Sequence, residues 1–118
     1  MNKRVDIILG KQISKIKPDD GEMGILKEET DKIILEIEKN LKKKKIKAEV
    51  FVGGSLAKGT LIRKKDYDID IFVRFFEDKE ISEKLSTVVR AERVHGSRDY
   101  FRIRKNNILF EIIPVLKI

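Results

Sequence analysis

The chain has 118 residues, of which 41% are apolar and 40% charged, and its formal net charge is +7. That length suits one domain around one core, and the apolar fraction argues against disorder. The lack of cysteine excludes disulfides, zinc–thiolate sites and cysteine nucleophiles, and no apolar run comes near the ~20 residues that a membrane-spanning helix needs.

The first predicted element is a helix over residues 3–17, where Val5, Ile8, Leu9, Ile13 and Ile16 recur at helical spacing. The charged start, Met1 to Asp6, leads into this amphipathic stretch and lacks the pattern of a secretory leader, so the expected location is the cytoplasm. Pro18-Asp19-Asp20-Gly21 stops the helix and offers caps for the next one. A long second helix is predicted over residues 22–45, with Leu26, Ile33, Ile34, Ile37 and Leu41 on one stripe. It ends in Lys42-Lys43-Lys44-Lys45, followed by Lys47. A solvated helix end whose lysines oppose the helix dipole is the simpler account of that run, and a phosphate-contacting patch is the alternative. The net positive charge has the same two readings, polyanionic partners or plain solubility.

Ala48 to Val52 is predicted as a short strand, broken by Gly53-Gly54-Ser55. From Asp68 to Phe75 the residues alternate strictly: Asp68, Asp70, Phe72 and Arg74 share one face, and Ile69, Ile71, Val73 and Phe75 the other. Ile81, Leu85, Val88 and Val89 predict a third helix of about three turns. Tyr100 to Arg104 and Ile108 to Leu116 predict two strands joined by a tight turn at Lys105-Asn106-Asn107. The order gives an α/β (α+β) fold in one domain, residues 1–118: a mixed sheet over residues 48–118 flanked by helices, with a helical N-terminal part over residues 1–47.

Three segments carry candidate chemistry. Gly53-Gly54-Ser55-Leu56-Ala57-Lys58 follows a strand. Glycines let a backbone approach a phosphate, Ser55 adds a hydroxyl and Lys58 a cation, although Gly-Gly after a strand is more often only a turn. Asp68 and Asp70, at i and i+2, point to one side of a strand, where their mutual repulsion would be relieved by a divalent cation. They could equally form the solvent face of an ordinary strand. Glu111 is a lone acid in the apolar run Ile108 to Val115, and a buried carboxylate there needs a partner or a metal. The alternative is an edge-strand glutamate facing water, and Pro114 hints at an edge or a strand end. If the two strands are neighbours, three carboxylates could bracket two magnesium ions, which prefer hard oxygen ligands. His95, the single histidine, is expected in a loop near the site. Arg98, Arg102 and Arg104 could contact RNA or triphosphate, or simply solubilise a strand.

Together, Gly54-Ser55, Asp68-Ile69-Asp70 and Glu111 resemble the nucleotidyltransferase superfamily that includes DNA polymerase β. The resemblance is closer to the catalytic domain of archaeal-type (class I) CCA-adding tRNA nucleotidyltransferases, through Val52 to Thr60, Phe110 to Pro114 and the helices around Lys17-Pro18. It covers nearly the whole chain. It implies metal ligation by Asp68, Asp70 and Glu111, two magnesium ions, and triphosphate contacts from Gly54, Ser55 and Lys58. The implied substrates are ATP or CTP and a tRNA 3′ end. Glu111 stands where that branch usually has aspartate, so its carboxylate reaches one methylene further. CCA-adding enzymes also continue beyond the third-acid strand, so a cut-down catalytic domain, a fragment or a small stand-alone relative is expected. Two other functions compete: a minimal nucleotidyltransferase that modifies a protein partner, as antitoxin modules do, and a non-catalytic RNA-binding domain.

Overall fold

A computed structural model describes residues 19–54, 56, 66–77, 80–96 and 99–117. The helix predicted over residues 3–17 lies outside them. Helix α1 runs Asp20–Lys43. Asp19 caps it: its side chain accepts from the Glu22 amide at 2.7 Å, and Glu22 accepts in return from the Asp19 amide at 3.3 Å. Asp20 and Glu22 in the first turn, and Lys42 and Lys43 in the last, complement the helix dipole. The buried stripe is Leu26, Thr30, Ile33, Ile37 and Leu41. Thr30, absent from the predicted stripe, is admitted because its hydroxyl donates to the Leu26 carbonyl at 2.6 Å.

Strands β1 (Ala48–Val52), β2 (Tyr67–Phe75), β3 (Glu92–Val94), β4 (Tyr100–Lys105) and β5 (Ile108–Leu116) form one mixed sheet in the order β1-β2-β5-β4-β3. Only β2 and β5 are parallel; the other neighbours are antiparallel. The back of the sheet is the core, where Ile69, Ile71, Val73, Phe101, Phe110 and Ile112 cluster with the α1 stripe. Strands β4 and β5 join through Asn106-Asn107, with Asn106 at φ 54°, a conformation asparagine tolerates better than most residues. No helix among the described residues is long and apolar enough to cross a membrane.

Two expectations are corrected. The third helix, α2 (Ile81–Ser86), is shorter than predicted. The Ser86 and Thr87 hydroxyls donate to the Glu83 and Lys84 carbonyls, competing with continued helix, while Val88 and Val89 close a last turn on the Leu85 carbonyl. Pro114 does not mark an edge strand, since β5 lies between β2 and β4. Its pairing with β4 stops at Ile112, so the proline sits where one side of β5 has no ladder partner among the described strands. Strand β3 was not predicted, because Glu92-Arg93-Val94 has too little apolar character to announce itself.

Candidate active site

The strict alternation of β2 buries Tyr67, Ile69, Ile71, Val73 and Phe75 behind the sheet and turns Asp68, Asp70, Phe72 and Arg74 to the front. Strand β5 runs parallel beside it, with Glu111 in register with Asp70 and Leu109 with Asp68. Residues in register share a face, and neighbouring strands lie about 4.8 Å apart. All three acids predicted from sequence therefore lie on one face, Glu111 laterally beside Asp70 and Asp68 two residues along.

The electrostatics of the group are uneven. Burial pushes the Glu111 carboxyl above the usual carboxylate range, and the negative charges of Asp70 and Asp68 push it further. Protonated Glu111 can donate a hydrogen bond to Asp70, which acts in the same direction, while Arg102 opposes. Arg102 is in register with Glu111 across the β4–β5 ladder, and its guanidinium donates to Glu92 at 3.0 Å. Among the described residues, no three acidic or histidine side chains are already gathered as a metal cage. Asp68 is exposed, and ~3.3 Å per residue puts its Cα roughly 7 Å along β2 from that of Asp70. The donor set nevertheless fits a hard divalent cation: it is all carboxylate, and the repulsion that raises Glu111 is what such a cation would relieve.

The two glycines after β1 serve different ends. The Gly53 amide extends the ladder, donating to the Asp70 carbonyl at 2.8 Å. A β-carbon on Gly53 would lie 2.5 Å from Cε2 of Phe72 and 3.5 Å from Cβ of Asp70, so only glycine leaves room for that ring. Gly54 has open space but a φ of +39°, which favours glycine for its backbone instead. Ser55 and Lys58, the other predicted triphosphate contacts, lie outside the described residues, as does Arg98.

Sequence reasoning did not single out Phe51 or its pairing. Phe51 and Phe72 are cross-strand partners on the front face, with ring centroids 5.4 Å apart and planes inclined by 21°. The Arg74 guanidinium carbon sits 5.3 Å from the Phe51 centroid and is held by Glu49, to which Nε donates at 2.8 Å. The one available signal was period two carried through β1, which places Phe51 and Glu49 on a common face. His95 is exposed, with Nδ1 3.3 Å from Asp99. Asp99 is held below its usual pKa chiefly by hydrogen bonds from Arg93, so the pair is better explained as fastening the β3–β4 connection than as chemistry. The lysine run at the end of α1 lies beside the Ala48–Phe75 pairing, at the opposite end of β2 from Asp68.

The nucleotidyltransferase domain family matches residues 32–116, from the middle of α1 to the end of β5. The chain is also 42% identical over 78 residues to a CCA-adding enzyme of Nanoarchaeum equitans (strain Kin4-M). That alignment takes in 59% of this chain and 19% of the enzyme, so the chain matches only a small part of that relative's length.

Proposed function

The chain belongs to the nucleotidyltransferase family, and from that premise we propose that it transfers a nucleoside monophosphate from ATP or CTP to the 3′-hydroxyl of a tRNA end or a related RNA. The observation that carries this reading is the Asp70–Glu111 register on parallel strands, with Asp68 on the same face. Asp68, Asp70 and Glu111 would hold divalent cations, with two magnesium ions expected. When bound, such ions neutralise phosphate charge and lower the pKa of an attacking hydroxyl.

The residues themselves supply position. Asp68 and Asp70 project from a strand whose other face is buried in the core, which anchors the backbone that carries them. Burial and the negative charges of Asp70 and Asp68 disfavour the Glu111 carboxylate, and a cation held by the three acids would offset that effect. The left-handed Gly54 and, on sequence grounds, Ser55 and Lys58 would contact the triphosphate. The attacking 3′-oxygen forms a bond to the α-phosphorus, the bond to the β-phosphate oxygen breaks, and pyrophosphate leaves. The relative's description as a CCA-adding enzyme supports a tRNA end as acceptor.

The test is incorporation of labelled nucleotide into tRNA lacking its CCA end, with and without magnesium. Glu111→Gln should abolish incorporation and Glu111→Asp should keep much of it. Salt-sensitive tRNA binding with no incorporation of any nucleotide would replace the enzyme with an RNA-binding domain. A co-purified protein that takes the label in place of tRNA would reassign the acceptor.

A further inference from the structure

We propose that Phe51 and Phe72 form a stacking platform for a nucleobase beside the carboxylates, an inference that rests on the nucleotidyltransferase reading of the site. The ring pair lies on the front face, and Phe72 follows Asp70 by two residues on that face, roughly 7 Å along the strand. Phe51 is 40% exposed although it is a large aromatic paired in the β1–β2 ladder. The core cluster takes in the back of the sheet and does not include it.

The platform is fixed from three directions. The Phe72 ring lies where only a glycine at position 53 leaves space. Phe51 is stacked on Phe72. The Arg74 guanidinium carbon is 5.3 Å from the Phe51 centroid, and Glu49 holds Arg74 in place. A cross-strand apolar contact alone would explain two neighbouring hydrophobes. It does not explain a guanidinium clamped against an exposed ring, or a backbone position kept free of a side chain for the other ring. A planar π-system uses both features: it stacks on the exposed ring, and the cation at the rim favours an electron-rich base. An aliphatic ligand would gain nothing from Arg74. A base seated there would direct its sugar and phosphates toward Gly53-Gly54 and the three acids, along the line of β2.

The base could belong to the incoming triphosphate or to the last nucleotide of the acceptor, and paired probes separate the two. Binding to the full chain in magnesium is measured by equilibrium dialysis for ATP against inorganic tripolyphosphate. A short RNA is measured against the same RNA with an abasic 3′ end. Phe51→Leu should weaken either ATP or the base-ended RNA about tenfold, equivalent to about 1.4 kcal/mol, and leave tripolyphosphate and the abasic RNA unchanged. Loss on ATP assigns the platform to the incoming nucleotide; loss on the base-ended RNA assigns it to the acceptor. Phe51→Trp should restore wild-type affinity or better, and this arm decides the matter if the leucine variant has a lowered melting temperature. Undiminished binding by Phe51→Leu, equal losses on probes with and without a base, or weaker base binding by Phe51→Trp would overturn the platform and leave the transferase reading standing. Wild-type protein that binds none of the four probes would overturn both.

Discussion

Strands β2 and β5 present two faces made from alternate residues of the same two segments, and the faces obey opposite rules. Behind the sheet, Ile71, Val73, Phe110 and Ile112 are fully buried and packed among apolar neighbours. In front, Asp68, Asp70 and Glu111 place like charges side by side, and the pKa of the Glu111 carboxyl is raised first by burial and then by the charges of Asp70 and Asp68. The back face stabilises the fold, and the front face draws on that stability. A period of two lets nine residues serve both ends, because moving one position along the strand changes the solvent from protein to water.

The comparison breaks most visibly at the aspartates. Replacing both, Asp68→Ala with Asp70→Ala, should lower nucleotide incorporation at least about a thousandfold, roughly 4 kcal/mol of lost transition-state stabilisation, and leave the urea midpoint of metal-free protein no lower than that of the wild type, because the charges that repel Glu111 are gone. A double variant that transfers nucleotide normally would sever the front face from the chemistry. On the back face the pattern should invert. Phe110→Ala should cost about 3–5 kcal/mol in stability through the cavity it leaves, measured by urea unfolding, while whatever protein remains folded keeps its metal response.

Gly53→Ala probes the seam between the faces. Its new methyl meets the Phe72 ring, so a loss of about 1–3 kcal/mol is expected, together with altered near-ultraviolet circular dichroism from the displaced aromatics. An alanine variant as stable as the wild type would show that the ring moves freely.

The smallest effect is also the most diagnostic. Glu111 has a folded pKa above its unfolded value, so the folded state binds its proton more tightly. Stability from this group is therefore highest at low pH and is lost as pH rises from the unfolded pKa, about 4.3, through the raised folded value. In metal-free protein, Glu111→Gln should raise the melting temperature at neutral pH, and the advantage should fade near pH 4 and below. Magnesium should then stabilise the wild type and do little for the glutamine variant. A glutamine variant less stable than the wild type at neutral pH would mean that the carboxylate is well satisfied without a cation.

Much of this arrangement is written locally. The α1 stripe, the cap at Asp19, the alternation of β2 and the lone acid of β5 follow from periods of 3.6 and two, which act over a few residues and can be read from side-chain types alone. Where the apolar spacing is real but hydroxyls compete for carbonyls, as after Ser86, period overstates the helix. Where a strand has almost no apolar residues, as at Glu92 to Val94, period is silent.

The sequence by itself determined that Asp68 and Asp70 share a face, that Glu111 interrupts an apolar strand, and that a glycine pair stands between two strands, because each is a property of one short segment. Only the tertiary structure decided that β5 lies parallel beside β2 with Glu111 level with Asp70, that Pro114 belongs to an interior strand, and that Gly53 makes room for a ring from across the ladder. Those facts depend on which segments become neighbours, and that choice is made by the packing of the whole core.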